Sequence, residues 1–419
     1  MDSLAQWLDR LERLHPRSID LGLERAEAVR ARLGLVLAMP LFVVGGTNGK
    51  GSVCALLDAM LRSAGYRSGL YTSPHLLRYN ERVRIDGAEA SDAALVGAFE
   101  RVDRARGDIS LTYFEFGTLA AALLFAEAAL DCAVLEVGLG GRLDAVNVFD
   151  ADCALLTSVD LDHTQYLGST REAIGYEKAG IFRPDQPAIC ADPDPPASVV
   201  AQARGRGARL LRIGQDFGYV EGHMQWRYWG PGGKRSGLPY PALRGVHQLA
   251  NAAAAMTALD QLHQRLPVPM QSIRTGLVAV ALPGRFQVLP GRPAVILDVA
   301  HNAHAAHALA RTLRSHGRHA RTFAVFAMLV DKDIGAVIDA VKDAIDCWHV
   351  ASLHGSRGTE AGTLAALLAA RDPGKPVSSF DSPLAAFHAA RRCAGDDDRI
   401  VVFGSFYTVS DIMSALAAP

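Results

Sequence analysis

The chain has 419 residues, too many for one ordinary hydrophobic core, which sets an expectation of two or three domains. Hydrophobic residues make up 49%, and 43 Lys plus Arg balance 44 Asp plus Glu, so there is no broad basic field to attract nucleic acid or an anionic membrane. The six cysteines are scattered without a C-x-x-C pair, the usage of reduced, buried thiols in a cytoplasmic protein.

Leu4, Trp7, Leu8 and Leu11 recur at helical spacing around Asp9 and Glu12, which is an amphipathic helix rather than a signal peptide. Pro16 separates it from a second helix opened by Ile19 to Arg25, and no apolar run is long enough to span a bilayer. Leu41 to Val44 reads as a buried strand, followed by Gly45-Gly46-Thr47-Asn48-Gly49-Lys50-Gly51-Ser52 and a helical segment from Cys54 to Ala64. Strand, glycine loop and helix together form a phosphate-binding arrangement: backbone N–H groups turn inward, the helix dipole adds positive potential and Lys50 adds a point charge. Gly45 to Gly49 is one residue shorter than G-x-x-x-x-G-K-[ST], and Gly51 stands between Lys50 and Ser52, so this is a variant phosphate loop.

Gly69 to Thr72 is a second strand ending in Ser73-Pro74-His75, and a polar loop runs on through Arg78 to Arg82. Asp92 to Arg106 and Phe116 to Ala129 have helical spacing, with Leu111 to Glu115 between them. Cys132 to Val137 and Cys153 to Val159 are further strands, the first containing Glu136 and the second running into Asp160-Leu161-Asp162-His163. Apolar strands alternating with helices predict a doubly wound, mostly parallel sheet whose ligands gather at the C-terminal strand ends. Glu172 to Phe182 is a predicted helix carrying Lys178. From Gly205 to Tyr240 the pattern alternates, which predicts antiparallel strands added to that sheet. A helix from near Val246 carries His247, Gln248 and Asn251. After Pro283-Gly284-Arg285 a second βα series begins, with strands at Ala294–Val299, Thr322–Met328, Cys347–Ala351 and Ile400–Phe403. The expected architecture is an N-terminal α/β phosphate-loop domain over 1–287 and a smaller Rossmann-like α/β domain over 288–419.

An ionised Glu136 in a buried strand needs a cation or several donors. Mg²⁺ near bound phosphates would satisfy it, with Ser73 and His163 at neighbouring strand ends to complete the shell; a salt bridge to Arg142 or another nearby base is the alternative. His163 reads equally as a ligand or a surface residue. Lys178 reads by composition as a solvated helix lysine, Asp298 as a capping group or a site residue, and Arg285 as a hinge or a phosphate clamp.

Taken together, Ile19 to Arg25, Gly46 to Ser52, Tyr71 to His75, Leu111 to Glu115, Leu135 to Asp144, Asp162 to Thr164, Glu177 to Phe182 and Asp298 to Asn302 resemble the folylpolyglutamate synthases of the Mur ligase superfamily. The segments span nearly the whole chain in order. The resemblance implies ATP at Asn48, Gly49, Lys50 and Gly51, with Asn251, Arg285 and Asp298 completing the site across a domain cleft. It also implies two Mg²⁺ ions, with Ser73, Glu136 and His163 as ligands, and carbamylation of Lys178, which reverses the reading of that lysine from composition. Thr112, Tyr113, Phe114, Glu115, Leu143, Asp144 and Ala145 match the segments that hold the pteroate in bacterial bifunctional members. Ala303 departs from the Pro that many members carry after His-Asn.

The implied reaction joins L-glutamate to dihydropteroate and to reduced folates through an acyl phosphate, with Lys50, Lys178 and His163 as the catalytic set. The implied partners are small molecules, with no nucleic acid and no membrane, and a monomer is expected. A monovalent cation requirement, the relative rates on the two acids and the polyglutamate length are left open. The competing readings are a Mur-type ligase acting on a cell-wall nucleotide precursor, which the pteroate-like segments disfavour, and a nucleotide-switched binding module.

Overall fold

The computed structural model describes residues 3–17, 19–355 and 357–417. The chain divides into two compact units, one comprising residues 1–242 and 249–280, the other 243–248 and 281–419. Among the described residues no helix is long and apolar enough to cross a membrane.

In the first unit the strands are β1 (Leu41–Gly45), β2 (Ser68–Tyr71), β3 (Val83–Ile85), β4 (Ala88–Glu89), β5 (Cys132–Glu136), β6 (Cys153–Leu156), β7 (Pro187–Cys190) and β8 (Arg209–Arg212). They form one sheet in the order β4-β3-β2-β5-β1-β6-β7-β8. Pairing is parallel from β2 to β8, and β3 and β4 add antiparallel strands at one edge. β1 is apolar and wholly buried, as a central strand covered on both faces must be. Chain order reverses about β1, so β5 and β6 flank it and their C-terminal ends open beside the glycine loop. The register places Glu136 against Val44 and Leu156 against Gly45.

Of the alternating segment only β8 joins this sheet, and it does so as a parallel edge strand where the sequence pattern predicts antiparallel ones. β9 (Gly218–Val220), β10 (Gln225–Gly230) and β11 (Gly233–Pro239) make a three-stranded antiparallel sheet of their own. The helix Gln248–Gln261 anchors it: Tyr228 Oη donates to Asp260 Oδ2 at 2.8 Å, and Arg235 pairs with the same carboxylate. The antiparallel part of the large sheet lies instead at β3 and β4, just after the polar loop that ends at Arg82.

The second unit carries β12 (Gln287–Leu289), β13 (Ala294–Leu297), β14 (Thr322–Phe326), β15 (Cys347–Ala351), β16 (Val377–Phe380) and β17 (Arg399–Phe403). Their order is β12-β13-β17-β14-β15-β16, parallel except for β12. Phe326, Trp348 and Phe403 pack ring against ring at its centre, with centroids 4.9–6.3 Å apart.

Candidate active site

The helix Lys50–Ser63 starts on Gly49, in the left-handed region at φ 89°, and no side chain caps its first turn. Its opening N–H groups therefore face the glycine loop, as an anion site requires. Gly46 has φ 143°, and a Cβ there would fall 1.9 Å from Thr157 Oγ1. The loop is tied to the end of β6: Thr157 Oγ1 donates to the Asn48 carbonyl at 2.6 Å, the Asn48 N–H donates to Ser158 Oγ at 3.1 Å, and Thr47 N–H reaches the Ser158 carbonyl at 2.7 Å. Sequence reasoning misses Thr157 and Ser158, although two hydroxyls directly after a buried strand are a signal for such a tie. Asn251 reaches the same loop, its Oδ1 lying 2.9 Å from where a Gly49 Cβ would be.

Two lysines converge on one carbonyl. Lys50 Nζ donates to the Gly46 oxygen at 3.1 Å and Lys178 Nζ donates to it at 2.9 Å. Lys178 is only 5% exposed. Burial and then the neighbouring Lys50 charge bring its pKa down from 10.5 to about 7, against the opposing pull of Asp162 and Asp144. The solvated-lysine reading is thereby corrected: the helix Arg171–Lys178 buries its last residue against the phosphate loop. The adjacent Glu177 carboxylate pairs with Arg142 at 2.8 Å. Arg142 is thus committed to Glu177 and is not the partner of Glu136.

Glu136 ends β5 and is 4% exposed, and its Oε2 accepts the Ser73 N–H at 3.1 Å. These two residues are joined directly. His163 stands at φ 50° at the head of the short helix Thr164–Leu167, next to Asp162, whose charge reaches Lys178. Among the described residues no three of His, Cys, Asp and Glu gather into a metal-holding cluster. One buried carboxylate with a serine bonded to it through its backbone N–H fits an ion that takes most of its shell from phosphate oxygens and water, as Mg²⁺ does.

Thr112 caps the helix Tyr113–Glu127, and Glu115 returns the bond to the Thr112 N–H at 2.7 Å, completing a capping box. The Glu115 carboxylate also takes Arg25 Nε at 3.1 Å, and Arg25 in turn holds Asp20 at 2.7 Å. The side chain of Glu115 therefore orders the segment in which Tyr113 and Phe114 present their rings. Phe114 packs on Tyr71 with centroids 6.0 Å apart. Asp144 is buried and accepts the N–H groups of Leu139 at 2.8 Å and Val146 at 3.0 Å; burial pushes its pKa up to about 6 despite these donors. Leu143 accepts Gly22 N–H through its carbonyl, and Ala145 is buried beside it.

In the second unit, Asp298 accepts the N–H groups of Phe286 and Ala300, both at 2.8 Å, and burial raises its pKa against these donors and Arg285. It does not cap the following helix, Ala303–Ser315, because Asn302 does. The Arg285 guanidinium lies 5.0 Å from the Phe406 ring centroid.

A glycine loop at a central strand end, a buried lysine on that loop and a second Rossmann-like unit are the parts of a Mur ligase. Residues 44–259 match the Mur ligase middle domain, and residues 284–406 match the Mur ligase, glutamate ligase domain. The dihydrofolate synthase/folylpolyglutamate synthase of Escherichia coli (strain K12) is 46% identical over 416 residues, covering 99% of this chain and 96% of its own. The solved structure of E. coli FolC in complex with DHPP and ADP matches with a TM-score of 0.95 at 45% identity, covering 99% of this chain and 98% of that one. A bifunctional folylpolyglutamate synthase/dihydrofolate synthase with Mn, AMPPNP and L-glutamate bound matches with a TM-score of 0.92 at 45% identity, covering 100% and 99%. The chain belongs to the dihydrofolate synthase/folylpolyglutamate synthase family.

Proposed function

We propose that the protein is an ATP-dependent carboxylate–amine ligase that joins L-glutamate to dihydropteroate, giving dihydrofolate, and to reduced folates, extending their glutamyl tail. The observation that carries this reading is the convergence of Lys50 and Lys178 on the Gly46 carbonyl beside an uncapped helix start. Phosphoryl transfer to a carboxylate needs positive potential at the phosphate, and Lys50 and the uncapped helix start supply it at this loop.

In the proposed reaction the carboxylate of the pteroate or folate attacks the γ-phosphorus of ATP, releasing ADP and leaving an acyl phosphate. The amine of glutamate then attacks the acyl carbon, the C–O bond to phosphate breaks, and the amide forms as phosphate departs. Lys50 needs only to swing from the Gly46 carbonyl to the transferring phosphoryl group to spread its charge. Asn48, Gly49, Lys50 and Gly51 are assigned to the phosphates, with the Asn48 N–H held by Ser158 Oγ and the later N–H groups of the loop left to face them, and Asn251 fixes the nucleotide beside Gly49. Arg285 and Asp298 are assigned further contacts to ATP. Mg²⁺, two ions in this reading, would be held by Ser73, Glu136 and His163 and supplies positive charge to the phosphate oxygens.

The depressed pKa of Lys178 leaves a large share of its amine uncharged at neutral pH, which is the form that CO₂ carbamylates. The resulting anion would counter the Lys50 charge and add an oxygen donor beside the phosphates. Thr112 to Glu115 and Leu143 to Ala145 are assigned to the pteroate. The protein is taken to act in the cytoplasm as a monomer on small molecules. Mass spectrometry of products from dihydropteroate, or a reduced folate, with ATP and glutamate tests the reading. A gain of one glutamyl unit that requires ATP supports it; ATP turnover independent of both acids refutes it.

A further inference from the structure

Arg82 is a half-buried arginine of the first unit that pairs with no carboxylate among the described residues. Arg25, Arg30, Arg106 and Arg142 are each paired with a carboxylate at 2.6–3.1 Å. Arg82 donates its Nε to His75 Nδ1 at 2.8 Å, and its guanidinium lies over the rings of Tyr79 and Tyr113, 5.3 and 5.4 Å from their centroids. Among the described residues neither Nη atom has a hydrogen-bond partner or a carboxylate. The carboxylate next to it in sequence is spoken for: Glu81 accepts the N–H groups of Leu76, Leu77 and Arg78 at 2.7–2.8 Å.

This arrangement fixes the guanidinium plane while leaving its forked edge unused. A rigid fork with an empty edge matches a planar carboxylate, whereas an arginine kept only for packing has no need of the imidazole that orients it. Its position narrows the choice of carboxylate. The Arg82 carbonyl accepts the Thr72 N–H at 2.9 Å, and the next residue, Ser73, gives its N–H to Glu136. The guanidinium of Arg82 thus lies on the aromatic wall of Tyr113, while its backbone is tied to the residue that precedes Ser73. A pteroate lying along that wall would direct its aryl carboxylate toward this point.

We infer that Arg82 binds the reacting carboxylate of the pteroate substrate, with His75 and the rings of Tyr79 and Tyr113 orienting its guanidinium. The inference rests on the ligase reading above, and it adds a substrate-touching residue outside the segments assigned there. Arg82 aims the carboxylate at the phosphoryl group and screens its charge from the triphosphate as the two anions approach.

The test compares binding of dihydropteroate with binding of the same compound lacking its carboxyl group, to the full chain with ADP and Mg²⁺ present. Arg82→Met should weaken the acid about tenfold to a hundredfold, the range for a lost charge-assisted hydrogen-bonded pair, and leave the descarboxy compound within about twofold. Arg82→Lys keeps the charge without the fork and should weaken the acid selectively by a smaller factor, and it serves if the Met variant does not fold. Equal losses for both compounds would mean that Arg82 only braces the loop, and this overturns the inference. So does undiminished binding of the acid. A wild-type protein that yields no glutamylated product defeats the ligase reading itself, an outcome separate from a ligating wild type whose Arg82 variants bind normally.

Discussion

Lys178 gives a prediction in which stability and activity move in opposite directions. In the native protein its amine releases its proton near pH 7, while in the unfolded chain it holds the proton to about 10.5. Between those values the unfolded state binds more protons, so stability rises with pH; below about pH 7 the full cost of burying the charged amine is present. From about pH 6 to about pH 9 this one group should add about 2–3 kcal/mol to the wild-type stability. Lys178→Met keeps the volume, removes the titrating group and gives up one hydrogen bond to Gly46, worth about 1 kcal/mol at every pH. Urea denaturation of both proteins in CO₂-free buffer should therefore show the variant gaining on the wild type at pH 6 and losing that advantage by pH 9. The same variant should be inactive in ligation, and bicarbonate should stimulate only the wild type. A stability difference that stays flat across this range would refute the reasoning about burial, and ligation by the variant at the wild-type rate would refute the carbamate.

Glu136→Gln should raise the Mg²⁺ concentration for half-maximal activity about tenfold or more, because a neutral amide is a poor ligand for a hard cation; an unchanged Mg²⁺ titration would remove it from the metal shell. Arg25→Met leaves the buried carboxylate of Glu115 without its cation and should cost about 3 kcal/mol in urea denaturation, together with a higher KM for dihydropteroate. Stability equal to wild type would show that Glu115 tolerates the loss. Gly46→Ala drives a Cβ into Thr157 and should weaken nucleotide binding at least about tenfold in a fluorescent-nucleotide titration, with wild-type affinity counting against a rigid loop.

The sequence is legible where local chemistry and fold agree. The strands carrying the site are short apolar runs in the middle of a parallel sheet, and burial on both faces writes itself into composition, as in Leu41 to Gly45. Edge strands lack that mark. β8 is Arg-Leu-Leu-Arg and half exposed, and β16 contains two serines, so neither stands out. The helix Lys50–Ser63 starts four residues before the expected Cys54, because the glycine loop and tertiary burial set its first turn where residue propensity would not. Side-chain partners are the least legible part: Arg142 choosing Glu177 over Glu136, or Glu115 being held by Arg25, depends on segments far apart in sequence meeting at one sheet edge or loop.

The placement of the charges explains why this loop can depart from the usual spacing. A standard phosphate loop supplies lysine and metal-directed hydroxyl from adjacent residues, so the loop itself fixes their geometry. Here Gly51 comes after Lys50, and the polar groups proposed to stand in for that hydroxyl come from the ends of β2, β5 and β6 and from the helix that ends at Lys178. Each is held by backbone already committed to the sheet or a packed helix, so the precision of the site comes from strand register. Val44 beside Glu136 and Gly45 beside Leu156 are the contacts that set it. A one-residue slip between β1 and β5 would carry Glu136 away from the glycine loop, and one between β2 and β5 would carry it away from Ser73, which makes the buried apolar faces of these strands part of the geometry of the proposed site.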